Sequence, residues 1–103
     1  MKKTRENLHQ ILTDVLGSKY VYYQPPESIK LHYPCIVYTK KQPDVKRANN
    51  SIYGFTNGYD LTFITKDPDS DIPEKLLKAL PMSRMNPQFV TDGLYHNPIT
   101  VYY

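Results

Sequence analysis

YDLTFITKDPDSDIPEKLLKAL, residues 59–80, changes its period part-way along. Tyr59, Leu61 and Phe63 fall on one face of an extended chain, and Asp60, Thr62 and Ile64 on the other, which is strand alternation. From Ile72 onward the apolar residues Ile72, Leu76, Leu77 and Leu80 recur at helical spacing, and Pro81 ends the run. Between them lie three alternating aspartates, Asp67, Asp69 and Asp71, followed by Glu74. A calcium loop starting at Asp67 needs glycine at its sixth position and glutamate at its twelfth. Those positions hold Ile72 and Lys78. A catalytic carboxylate pair needs a partner acid or base close by, and the sequence names none. A helix entrance fits better. Asp71 precedes the apolar stripe and Glu74 follows three residues later, an aspartate version of the capping box. Pro73 sits in the first turn, where its missing N–H costs nothing, and Asp67 and Asp69 flank Pro68 as in a turn. The stretch predicts a strand over 59–65, a turn, and a helix over 72–80.

Working outward, Leu8, Ile11, Leu12, Val15 and Leu16 form an apolar helical stripe. Lys2, Arg5, Glu6, Gln10 and Asp14 make the solvated face. Thr4 is the expected N-cap and Gly17 the expected stop, so the spacing predicts a helix over 3–16. YVYY, residues 20–23, predicts a short strand ended by Pro25 and Pro26. PCIVYT, residues 34–39, predicts a core strand, with Cys35 and Val37 on one face and Ile36 and Tyr38 on the other. Residues 40–50, KKQPDVKRANN, are too polar to pack and predict a loop or the exposed end of a hairpin. Residues 51–55 open a return strand, with Asn57-Gly58 as a turn or bulge signal. Strands over 89–91 and 99–103 follow, joined through Asp92-Gly93. The expected fold is α+β: one domain over 1–103, two helices on one face of a mostly antiparallel sheet of about five strands, and a long polar hairpin or loop.

Composition limits the function. The chain has 103 residues, 40% hydrophobic and 22% charged, as in an ordinary globular domain. Its net charge of +3 is too small to argue for nucleic acid by itself. The single cysteine, Cys35, excludes an internal disulfide and points to a reducing compartment. No apolar run reaches the roughly 20 residues of a membrane span, and the basic start lacks the apolar core of a signal peptide. His9, His32 and His96 lack metal-ligand spacing, so neither metal nor cofactor is expected. Cys35 sits in an apolar strand and reads as a small buried hydrophobe. No nucleophile, base and oxyanion donor can be named together, so the chain does not read as an enzyme. Ten tyrosines and no tryptophan fit half-buried sheet faces and contact surfaces.

Three passages together, VYYQPPESIKLHYPCIVYTKK, YDLTFITKDPDSDIPEKLL and LPMSRMNPQFVTDGLYHNPITVYY, resemble a small protein of the tail-morphogenesis modules of long-tailed bacteriophages and prophages of Gram-positive hosts. The resemblance covers most of the chain and carries no catalytic motif. One departure stands at Met82, Ser83, Arg84 and Met85, where the family pattern has a Cys-Ser-Phe-Asp-like stretch. The resemblance implies a tail terminator or tail completion protein: an α+β subunit of a ring, usually a hexamer, that caps the tail tube and helps join tail to head. The implied partners are other copies of the chain, the tail tube protein and a head-completion or connector protein. DNA would pass through the ring without specific recognition. The implied location is the virion, after synthesis in the host cytoplasm, with no membrane involved. A head-completion or other neck role is the near alternative. A small DNA-binding regulator using Lys40, Lys41, Lys46 and Arg47 is the alternative from another class, and a metal-dependent enzyme around the aspartates ranks last. Candidate interface residues are Tyr20, Tyr22, Tyr23, Lys40, Lys41, Lys46, Arg47, Tyr53, Phe55, Tyr102 and Tyr103. For each tyrosine the competing account is simple sheet packing.

Overall fold

The computed structural model describes residues 3–103. Lys2, assigned above to the polar face of the first helix, lies outside them. The elements run α1 (Arg5–Leu16), β1 (Val21–Tyr23), β2 (Cys35–Ala48), β3 (Ser51–Thr65), α2 (Ile72–Ala79), β4 (Ser83–Met85), β5 (Phe89–Thr91) and β6 (Leu94–Tyr102). The fold is α+β, with two helices and one six-stranded, mostly antiparallel sheet. Its strand order is β1-β2-β3-β6-β4, and β5 pairs with β6. Among the described residues only β1 and β2 run parallel.

α1 starts and stops on local chemistry. Thr4 Oγ1 accepts the Asn7 N–H, and the Asn7 side chain returns a bond to the Thr4 amide. Gly17 ends the helix at φ 78°, where a side chain would be strained, and its N–H donates to Thr13 O. α2 starts differently from the expectation. Asp71 stands at the N-cap position, but its side chain makes no capping bond. Two features explain this. The backbone is at φ −89°, ψ 0° rather than extended, and the second helical residue, Pro73, has no N–H to cap. Instead Asp71 and Glu74 each face a lysine one turn on, Lys75 at 3.4 Å and Lys78 at 3.2 Å. The turn before the helix is held by Asp67 Oδ1, which accepts the Asp69 N–H, and by Ser70 Oγ, which accepts the Ile72 N–H.

One apolar core cluster joins Leu8 and Leu12 of α1 to Leu76 of α2 and the Leu80 that follows it. From the sheet it takes Ile36, Tyr38, Tyr59, Leu61, Phe63, Ile99 and Val101, which the strand register places on a common face. The alternation read in residues 35–38 and 59–65 therefore decides which side chains enter the core.

Two departures come from prolines and bulges. β6 begins at Leu94, not Ile99, and carries Pro98 inside a strand with neighbours on both sides. Pro98 O accepts from Asn86, so the side that lacks an N–H faces the gap between β4 and β5. Those two short strands are one edge broken at residues 86–88, which makes the sixth strand that the sequence did not show. In β2, Gln42 and Pro43 stand against the single residue Asn57, a bulge that takes the proline out of the ladder. Beyond the bulge β2 and β3 continue as a hairpin, closed by Asn49 and Asn50 at φ 51° and 65°. Residues 40–50 are thus the outer half of a strand and its turn.

Candidate interaction surface

The hairpin beyond the bulge is an arm. β1 accompanies β2 only along Ile36–Tyr38, and β6 accompanies β3 only from Gly58 on. Residues 42–56 therefore form a two-stranded ribbon with both outer edges open. About eight residues at roughly 3.3 Å each give it a reach of some 26 Å. The molecule measures 50 × 25 × 24 Å, and its radius of gyration of 14.7 Å exceeds the about 13 Å of a compact domain this size. The arm accounts for the excess.

The arm is more apolar than the residue types around it suggest. Tyr53 is 69% exposed, Phe55 59% and Ile52 53%. Phe55 pairs with Val45 and Ile52 with Arg47, and β3 alternates without interruption from Tyr59 to Phe55. Phe55 thus continues the apolar face of the sheet past the point where the core ends. At the root of the arm Lys3, Phe55, Asn57, Met82, Tyr102 and Tyr103 line an open groove of about 540 Å³. The broken edge adds a second exposed apolar strip, Met82, Met85, Phe89 and Val90. At the other end of β3, Leu16, Tyr33, Pro34, Phe63, Ile72 and Asp67 line a pocket of about 400 Å³.

The residues singled out in the sequence fall in four places. Lys46, Arg47, Tyr53 and Phe55 share the arm, where Lys46 pairs loosely with Asp44 at 3.8 Å. Lys41, Tyr102 and Tyr103 meet near its root. Lys41 Nζ lies 5.5 Å from the Tyr102 ring centre and 3.9 Å from Asp60, while Lys3 Nζ lies 5.2 Å from the Tyr103 ring. Lys40 is exposed, and its N–H donates to Gln24 Oε1, a side-chain continuation of the β1 ladder. Tyr20, Tyr22 and Tyr23 are apart from the arm and already partnered. Tyr20 stacks on His32, Tyr22 OH accepts the His32 N–H, and Arg5 lies over the Tyr23 ring at 4.4 Å.

Sequence inspection missed Ile52, the strip on the broken edge, and a polar cluster beneath α1. Tyr38 is fully buried, yet its hydroxyl accepts from Arg5 Nη1 at 3.2 Å and lies 2.7 Å from His9 Nδ1. Arg5 can only donate, so the Tyr38 O–H is free to donate to an unprotonated His9 nitrogen. Burial holds His9 below its ordinary pKa, and the nearby Arg5 charge adds to this. Burial also raises Tyr38. The spacing Arg5–His9, one helical turn on the expected polar face, was the available signal. Cys35 is buried, and desolvation pushes its thiol up to about 11, which suits a packing residue and not a nucleophile. Among the described residues no group of three or more His, Cys, Asp or Glu is placed to hold a metal ion, and no helix is long and apolar enough to cross a membrane.

Scans of the chain against protein-family models and against curated protein sequences return no match.

Proposed function

We propose that the chain is a structural virion protein: a ring-forming subunit, in a hexamer, that caps a phage tail tube and helps join tail to head. The observation that supports this most is the arm. A two-stranded ribbon is marginal in water by itself, and this one displays Ile52, Tyr53 and Phe55 to solvent. Apolar surface held out on an extended arm suits a partner that covers it. The quoted family pattern supplies the identity of that partner: neighbouring copies, then the tube and the head-side connector. On this proposal the protein works without catalysis or a cofactor, lets DNA through without reading it, and resides in the virion after synthesis in the host cytoplasm. A head-completion role uses the same features with the connector as first partner.

Light scattering after size exclusion tests the proposal, from micromolar upward, alone and with purified tail tubes. Ring-sized particles or retention at tube ends support it. A chain that stays monomeric and ignores tubes refutes it. One observation favours a second reading: Lys46 and Arg47 are exposed on a ribbon of a width that fits a DNA groove. Steeply salt-dependent DNA binding by the monomer would favour that reading.

A further inference from the structure

We propose that the arm of one copy seats in the pocket at the far end of a second copy, Ile52 and Tyr53 entering the apolar lining and Lys46 and Arg47 meeting the acidic turn beside it. This rests on the ring proposal only in taking another copy as the partner. The two surfaces match in chemistry. Residues 40–55 carry four cations, Lys40, Lys41, Lys46 and Arg47, against one acid, Asp44. Residues 67–74 carry four acids, Asp67, Asp69, Asp71 and Glu74; Lys75 and Lys78 pair with Asp71 and Glu74 and Lys66 lines the pocket, so Asp67 and Asp69 carry the match. The arm exposes two aromatic rings and an isoleucine. Leu16, Tyr33, Pro34, Phe63 and Ile72 line the pocket, Asp67 stands in its wall, and Tyr33 is itself 39% exposed. An apolar centre with complementary charge around it is the usual composition of a specific contact.

The contact must be between copies. β3 begins at the tip of the arm and ends at the acidic turn. Its 15 residues span about 50 Å at roughly 3.3 Å each, which is the whole long axis of 50 Å. No chain can reach its own pocket. Because arm and pocket are different patches, the assembly closes either as a reciprocal two-fold pair, each arm in the other's pocket, or as a ring when a smaller rotation relates successive copies.

Charge exchange tests the pairing. One variant carries Lys46→Glu with Arg47→Glu. The other carries Asp69→Lys with Asp71→Lys, whose side chains face solvent beside the pocket residues Ser70 and Ile72. Opposed like charges cost several kcal/mol, so each variant alone should self-associate about 100-fold more weakly than the unmodified chain. An equimolar mixture restores both contacts and should recover assembly, read by light scattering. That recovery excludes misfolding as the cause of the loss. Variants that assemble like the unmodified chain, or a mixture that stays dissociated, overturn the inference and leave the ring proposal standing. An unmodified chain that assembles neither alone nor on tubes overturns both.

Discussion

Gly58 lies where the arm leaves the sheet, and a single methyl group there tests how tightly that junction is built. A Cβ at Gly58 would stand 2.7 Å from Gln42 O, 2.8 Å from Lys41 Cγ and 3.2 Å from Tyr102 Cε1. The first of these is backbone, held in the bulge, and cannot rotate away. Overpacking of this kind costs about 1–3 kcal/mol. Against it, replacing glycine reduces the freedom of the unfolded chain and returns about 0.4–1 kcal/mol. Gly58→Ala should therefore destabilise by about 1–2 kcal/mol net. Four residues away the same change should cost less. A Cβ at Gly54 would stand 3.2 Å from Lys46 Cβ, which the backbone fixes, and 3.6 Å from its Cγ and Cδ, so the paired strands must part by a few tenths of an ångström. That small overpacking is offset by the lost freedom of the unfolded chain, and Gly54→Ala should lie within about 0.5 kcal/mol of neutral. For a domain of this size the two variants should melt roughly 5–15 °C apart. Thermal unfolding by circular dichroism at one pH and concentration measures both. Equal melting temperatures, or a Gly58→Ala variant as stable as the unmodified chain, would refute the close approach of bulge, β3 and Tyr102.

Three other outcomes follow from the polar cluster and the thiol. Tyr38→Phe keeps the ring but leaves Arg5 and His9 without their shared hydroxyl, and should cost about 1–2 kcal/mol in urea unfolding; a cost near zero would mean that water already serves both groups. His9 binds its proton more weakly folded than unfolded, so its contribution is complete above the ordinary value of 6.5 and is lost as pH falls below it. The melting temperature should drop on acidification through that range, and His9→Gln should drop less; equal drops would exclude His9 as a source. At about pH 8 the buried Cys35 thiol is almost wholly protonated, so an aromatic disulfide reagent should label it only at the rate of unfolding, and rapid labelling of the native protein would contradict its burial.

Much of the fold was legible because period and caps agree. Thr4 and Gly17 bound a five-residue apolar stripe, and the alternation in 59–65 sorts Tyr59, Leu61 and Phe63 to the core. The missed parts are places where position overrides residue type. Residues 40–48 have too few apolar side chains to decide between a loop and the end of a hairpin, and it is the hairpin that forms, because β3 pairs with them beyond the core. The expected last strand began at Ile99, but it starts at Leu94 and includes Pro98, which only the matching gap at 86–88 on its neighbour makes tolerable. Asp71 and Glu74 fit a capping formula whose backbone angles the turn does not adopt. At the candidate surface, Tyr53, Phe55, Lys46 and Arg47 were visible in sequence as residues of an unpacked stretch. Their gathering on one ribbon was not, since it depends on the register of β2 against β3. Tyr20, Tyr22 and Tyr23 show the reverse: aromatic content alone does not distinguish a ring against His32 from a ring awaiting a neighbour.

The broken outer edge has a consequence for solubility. An unbroken nine-residue strand over 83–91 would offer a continuous template on which a foreign strand could grow, the usual start of runaway stacking. Here the template is cut into two three-residue steps by prolines on both sides of the same seam, Pro87 and Pro98. A misdirected strand could register with one step but not carry on to the next. The chain can thus hold exposed Met85, Phe89 and Val90 on that margin while leaving the arm, among the described residues, as the place where a long backbone edge invites company.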